Sequence, residues 1–261
     1  MIINNLMSHL VSVIMPYYNK RSYFLKSITS VLNQTYTNLE ILIVYDDQNT
    51  SESKYIKSCI KNDPRVKIIF NDENKGVAYS RNKAISIAQG EYIAFLDCDD
   101  FWEINKVELQ LNFMLTYGYE FSHTAYQVIN CKEKTIGIIE VRKVLKYKDL
   151  LKSCDIGLSS VVLKRKLLTD MKFPELKTKE DFVLWLSLAK KSVDLIGFDK
   201  PLMFWRQTPY SLSSSIIQKL KDAFKVYYLY EKKNFFYSIL CVIRLSIYAF
   251  FKKINLYFSL F

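Results

Sequence analysis

Four short apolar runs alternate with stretches of helical spacing through the first hundred or so residues, and this alternation restricts the fold more than any other feature. The runs are 10–15 (LVSVIM), 39–45 (LEILIVY), 66–70 (VKIIF) and 92–96 (YIAFL). Runs this short, and this rich in β-branched residues, suit strands covered on both faces, as in a parallel sheet. Between the first two, 22–32 carries Phe24, Leu25, Ile28, Val31 and Leu32 at helical spacing. The stretch 50–60 puts Tyr55, Ile56, Cys59 and Ile60 on one face, and 77–89 runs to Gly90, placed as a helix stop. Repeated strand–helix–strand units predict an α/β, Rossmann-like, doubly wound and mostly parallel sheet.

The chemistry gathers where these runs end. Leu96 is followed by Asp97, Cys98, Asp99 and Asp100, and Tyr45 by Asp46 and Asp47. Open α/β sheets take their ligands at the carboxyl ends of strands. Carboxylates this close raise one another's pKa, and a divalent cation with hard oxygen ligands relieves the repulsion. Asp-Cys-Asp-Asp is therefore read as a metal site with a phosphate as companion. The second acidic strand end suggests a nucleotide contact. No GxGxxG follows the first run and no GxxxxGK[ST] occurs, which argues against a dinucleotide dehydrogenase and a P-loop enzyme.

Further on, 103–117 reads as a helix. Two strand-like runs, 119–129 and 135–141, meet at the polar turn around Lys132-Glu133-Lys134. A short helix over 147–153 and an extended stretch over 156–163 follow. The helix over 180–191 turns Phe182, Leu184, Trp185 and Leu188 inward and opens on Glu180 and Asp181, acids that also suit a helix amino terminus. The segment 201–206 closes the domain.

Half of the 261 residues are apolar, enough for a large core. The net charge is +11, of which +6 lies in the last 46 residues. That charge sits beside an apolar helix rather than along an aromatic-studded sheet, which disfavours nucleic acid as the partner. Five scattered cysteines without a CxxC imply reduced thiols and a cytoplasmic chain. The first ten residues lack the basic and apolar regions of a signal peptide. The apolar run 235–251 is flanked by Lys232-Lys233 and Lys252-Lys253 and has Arg244 at its middle. As a helix it places Lys233, Tyr237, Cys241, Arg244, Tyr248 and Lys252 on one narrow stripe. The short length and the central Arg argue against a span, so the expectation is a helix lying on an anionic membrane surface. Packing on the domain, or on a second copy in a homodimer, is the alternative.

Six stretches, VSVIMPYYN, EILIVYDDQNT, NKGVAYSRNKAI, EYIAFLDCDDFW, KEDFVLWLSLAKK and WRQTPYSLS, together resemble family-2 glycosyltransferases of the GT-A fold, in that family's order over about 11–213. The resemblance implies a catalytic domain over 1–213 and a helical carboxyl-terminal extension over 214–261. It implies a nucleotide-sugar donor, usually UDP-linked, and Mn²⁺ or Mg²⁺. The acceptor would be a hydroxyl of a glycan or lipid-linked glycan in bacterial surface polysaccharide synthesis, attacked with inversion. Carried over residue by residue, Asp97 faces the nucleotide, Asp99 and Asp100 the metal, and Asp46 or Asp47 the base. The backbone around Pro16 and Tyr17 flanks the base, Arg81 lies near the nucleotide, and Asp181 with Glu180 beside it is similar to the general base. Gln48-Asn49 stand where the family often has Gly-Ser, and Thr208 where it often has His. Rival readings are a catalytically silent sugar-nucleotide binder, a nucleotidyltransferase and a nucleic-acid-binding protein. The second would use a Gly-rich loop that PYYNKRS lacks.

Overall fold

The structure is a computed structural model that describes residues 8–208 and 215–258. The expected 213/214 boundary and Pro209-Tyr210-Ser211 of the last motif lie outside the described residues. Strands β1 (Val11–Tyr17), β2 (Leu39–Tyr45), β3 (Val66–Phe70) and β4 (Tyr92–Phe95) pair in parallel in the order β3-β2-β1-β4. Helices α1 (Arg21–Leu32), α2 (Thr50–Ile60) and α3 (Val77–Ile87) connect them. All seven residues of β2 are buried, as a strand covered on both sides requires. The pleat sends alternate residues to two cores. Val13 and Met15 join Phe24, Ile28 and Ile56 from α1 and α2 on one face. Ile14, Leu42 and Val44 join Ala78 and Ala84 from α3 on the other.

Two local readings change. The first strand runs through Pro16 to Tyr17 instead of stopping at Met15. β4 pairs with β1 only as far as Ile14, so the missing Pro16 N–H forfeits no ladder bond. Helix α3 ends at Ile87, and Gly90 is a close-approach residue rather than its stop. Its N–H donates to Ser12 Oγ at 2.8 Å, and a Cβ there would lie 2.6 Å from the Ser12 backbone nitrogen.

Beyond β4 the sheet becomes mixed. β9 (Val161–Lys164) pairs antiparallel with β4 and with β6 (Phe121–Ile129), and β10 (Leu195–Arg206) runs parallel to β6. The two-residue strands β5 (Phe101–Trp102) and β8 (Val144–Leu145) pair antiparallel with β10. β7 (Thr135–Ile139) forms a hairpin with β6 through the turn at Asn130–Lys134. Helix α4 (Lys106–Tyr117) covers one face, and α5 (Tyr147–Leu150) and α6 (Glu180–Lys190) lie on the other. Phe182, Leu184, Trp185 and Leu188 of α6 are all buried, as their spacing predicts.

The carboxyl-terminal part adds α7 (Ile216–Lys225), a π-helical turn at Val226–Tyr230, and α8 (Phe235–Phe258). Cys241 and Leu245 of α8 join Ala223, Val226 and Tyr227 in the same hydrophobic core cluster as Ile14 and Phe95. Arg244 and Lys252 of the stripe turn to the domain, while Tyr237 and Tyr248 stay exposed. Arg244 Nη2 donates to the Leu151 carbonyl at 2.7 Å, and Lys252 Nζ sits 3.2 Å from Asp155 Oδ1. Phe236, Leu240, Ile243, Ile247 and Phe250 are left exposed on the outer side.

Candidate active site

Asp46 and Asp47, at the end of β2, have different environments. Asp46 is 3 % exposed, and both its oxygens are engaged. Oδ1 accepts from Asn71 Nδ2 and the Lys75 N–H, each at 2.8 Å, and Oδ2 accepts from the Gly76 N–H at 2.8 Å. Asp46 thus ties β2 to the loop that opens α3, where Gly76 adopts φ 86°, a left-handed conformation suited to glycine. Asp47 is half-buried; it accepts the Asn19 N–H at 3.2 Å and closes a turn with the Asn49 N–H at 3.0 Å.

The acids after β4 separate in the same way. Arg81, on α3 and 3 % exposed, donates through Nη2 to Asp97 Oδ1 at 2.6 Å and through Nη1 to Glu180 Oε1 at 2.5 Å. One guanidinium therefore joins the acids after β4 to the first turn of α6. Asp99 Oδ2 meets Lys20 Nζ at 2.5 Å. Asp100 is 4 % exposed: its Oδ1 accepts the Arg206 N–H at 3.0 Å and its Oδ2 the Ser159 hydroxyl at 2.7 Å. Ser159 Oγ also accepts the Asp97 N–H at 3.1 Å, so a short 3₁₀ turn, Leu158–Ser160, sets the loop's shape. Arg206 Nε holds the Asp99 carbonyl at 3.0 Å, and its Nη2 reaches Glu133 at 2.9 Å.

The charges follow from burial. Burial pushes the Asp100 carboxyl well above its ordinary range, and Asp99 and Asp97 add to the shift. Burial alone would lower the Arg81 guanidinium, but Asp97 and Glu180 outweigh it and hold it firmly charged. Burial also raises Glu180, with Arg81 pulling it back, and raises Asp181, opposed by Lys179 and Arg81. Asp181 is half-buried, with Oδ1 accepting the Phe182 N–H at 2.8 Å.

Among the described residues no group of three or more His, Cys, Asp or Glu side chains could enclose a metal ion. Asp97, with one oxygen on Arg81, and Asp99, with one on Lys20, are nevertheless two hard carboxylates two positions apart in the loop after β4. That donor set fits an ion of the Mg²⁺ or Mn²⁺ kind, which is held by one or two carboxylates and completed by substrate phosphates and water.

Residues 12–167 match the description Glycosyl transferase family 2. The chain belongs to glycosyl transferase family 2. It is 39 % identical over 219 residues to the Escherichia coli enzyme WfgD, a UDP-Glc:α-D-GlcNAc-diphosphoundecaprenol β-1,3-glucosyltransferase, covering 84 % of this chain and 85 % of that one. It is 34 % identical over 236 residues to the putative teichuronic acid biosynthesis glycosyltransferase TuaG of Bacillus subtilis, covering 90 % and 94 %. Staphylococcus aureus TarS 1–349, solved with UDP-GlcNAc, superposes with a TM-score of 0.68 at 20 % identity, covering 84 % of this chain and 65 % of that one. The mannosyltransferase PcManGT of Pyrobaculum calidifontis, solved with GDP-Man and Mn²⁺, gives 0.66 at 15 % identity, covering 86 % and 64 %. The sheet and helices are those of the GT-A fold.

Within this glycosyltransferase the expected residues divide into two groups. Asp97, Asp99, Arg81, Glu180 and Asp181 converge on one edge of the sheet. Asp100 departs from the expectation of a metal ligand: its oxygens are spent on Arg206 and Ser159, away from solvent. Asp46 likewise serves the framework; Asp47 also accepts backbone N–H groups at both oxygens but is the more exposed of the two. The Tyr17 ring is fully buried and its hydroxyl donates to Glu52, so only the backbone of Pro16 and Tyr17 remains to flank a nucleotide. Sequence reasoning missed Lys20, Ser159 and Glu133. Each lies in a loop or turn and acts through a partner at least 59 positions away, and local patterning carries no such signal.

Proposed function

We propose that this glycosyltransferase moves a hexose from a UDP-linked donor to a hydroxyl of a lipid-linked glycan, with Mn²⁺ or Mg²⁺ bound and with inversion, in the synthesis of a bacterial surface polysaccharide. The observation that carries the reading is the Arg81 bridge, which joins Asp97 to the acidic start of α6. It brings a donor-side carboxylate and a candidate base into one site. The names of WfgD and TuaG support the acceptor class and the pathway.

Asp97 and Asp99 would hold the ion, and Asp47 with the Pro16–Tyr17 backbone would receive the base. A bound divalent ion supplies the Lewis acidity that neutralises a departing nucleoside diphosphate. Asp181 takes the proton of the acceptor hydroxyl as attack develops. Such general-base help contributes roughly 10²–10⁴ in rate. A single base facing the leaving group gives inversion. Glu180, bound to Arg81, positions the helix start rather than moving the proton. Its neighbour Asp181 has one oxygen with no hydrogen bond among the described residues.

The membrane is the other proposed partner. Among the described residues one segment, Phe235–Lys252, is long and apolar enough to cross a membrane by length and composition. Its charges are engaged with the domain and its exposed side is apolar, which suits a helix lying on the inner face of the plasma membrane, where a lipid-linked acceptor is found. The direct test of the catalytic assignment is Asp181→Asn: transfer should fall by roughly 10²–10⁴ while nucleotide-sugar binding is kept. Retained transfer would overturn the assignment.

A further inference from the structure

Lys20 lies between the two halves of the proposed donor site, and the reading of Asp99 as metal contact gives it no role. Its ammonium is 2.5 Å from Asp99 Oδ2, and the two side chains are only 26 % and 14 % exposed. Asp99 has no other cation on its carboxylate among the described residues. Arg81 is committed to Asp97 and Glu180, and Arg206 reaches only the Asp99 carbonyl.

The backbone of Lys20 is fixed while its head is not. Asn19 adopts φ 47°, and the Lys20 carbonyl accepts the Tyr23 and Phe24 N–H groups at 3.0 and 2.9 Å as α1 begins. The side chain makes no capping bond, and among the described residues Asp99 is the one group that hydrogen-bonds the ammonium. A lysine head on a four-carbon stem is a compact, movable charge, unlike the planar fork of Arg81 that is pinned at both ends.

Resting on the metal reading of Asp99, we infer that Lys20 is an exchangeable counter-ion: it neutralises Asp99 while no ion is bound and turns to the donor diphosphate once a divalent ion takes that carboxylate. The charges support the exchange. An ion needs the oxygen that the ammonium occupies, so the two compete. The donor brings a diphosphate into reach of the ammonium just released. Metal and donor thereby assist each other's binding, while metal alone must displace an ion pair.

The experiment measures Mn²⁺ binding by electron paramagnetic resonance of the free ion, with and without UDP, on the wild type, Lys20→Met and Asp99→Asn. Lys20→Met should bind Mn²⁺ alone about fivefold more tightly, the scale of one partly exposed ion pair. At saturating Mn²⁺ the same variant should bind UDP about tenfold more weakly, for want of a charge-assisted hydrogen bond. Changes of opposite sign cannot come from simple loss of fold. Equal Mn²⁺ affinity in wild type and Lys20→Met, or UDP affinity unchanged by the substitution, overturns the inference while leaving the metal reading in place. If the wild type binds no Mn²⁺ with or without UDP, or if Asp99→Asn binds it as well as the wild type does, the metal reading falls and the inference falls with it.

Discussion

Removing the Arg81 guanidinium would leave Glu180, 7 % exposed, without an ion-pair partner among the described residues and beside Asp181. Breaking a buried pair from one side costs about 3–5 kcal/mol. Arg81→Met should therefore lower the denaturation midpoint sharply, measured in urea at neutral pH. A midpoint within error of wild type would show that the bridge is dispensable. Lys106 behaves differently. It is fully buried on α4, with Nζ donating to Gln110 at 2.7 Å and lying 4.3 Å from the Trp102 ring centre, and no carboxylate pairs with it among the described residues. Burial pulls its ammonium down to about 7. Its folded value lies below its unfolded one, so the native state binds this proton less readily. The stability it withholds is withheld fully below about pH 7 and recovered as pH rises toward about 10. Lys106→Met should remove that slope: the wild type gains on the variant as pH is raised from 7 to 9.5. Parallel stability curves for the two proteins over that range would contradict this.

Among elements, those bounded by apolar patterning were the ones readable in advance. The stretches 39–45, 50–60 and 66–70 coincide with β2, α2 and β3, because each buries an apolar face against the sheet core. Among the longer elements, β10 and α7 were not readable as wholes. β10 is twelve residues long, but Asp199-Lys200-Pro201 breaks its apolar run where the register with β6 shifts, so only its second half stood out. Helix α7 buries Asp222 and Ala223 while Ile216 and Ile217 stay exposed, the inverse of the usual stripe. Asp222 is held inward by Thr178, whose N–H and hydroxyl donate to it at 3.0 and 2.9 Å. Gly90 shows how a correct residue can be given the wrong reason: what calls for glycine there is steric, not helical. A Cβ there would lie 2.5 Å from Ser12 Oγ and 2.8 Å from the Leu10 carbonyl. Gly90→Ala should destabilise by about 1–3 kcal/mol, and an unchanged melting temperature would refute the close packing. For α8, Ile243→Glu with Ile247→Glu alters only the exposed side, 50 % open at both positions. The double variant should keep its fold by circular dichroism and lose co-sedimentation with vesicles containing anionic phosphatidylglycerol. Recovery equal to wild type would remove the membrane proposal.

Across the whole molecule, a parallel half supplies the strand ends and a mixed half brings distant segments back to them. Arg81 meets Asp97 from 16 positions away and Glu180 from 99, and Lys20 meets Asp99 across 79. The acids after β2 and β4 could be named from sequence because residue type and strand-end position point to them, whereas Glu180, Asp181 and Arg81 entered only through the family resemblance. Which side chains pair could not be read, because pairing over such separations is decided by topology. Asp46 and Asp100 show the limit most clearly: both sit at the right strand ends, and burial commits both to the framework. The account rests on Asp99 holding an ion that in turn holds the donor. A ligand present at a hundred times its dissociation constant stabilises the native state by about 2.7 kcal/mol, so thermal denaturation with a panel of sugar nucleotides reads this directly. At least one UDP-linked sugar should raise the melting temperature when Mn²⁺ is present, not when it is chelated, and not in Asp99→Asn. A shift that persists after chelation or in Asp99→Asn, or no shift with any sugar nucleotide, would contradict the account.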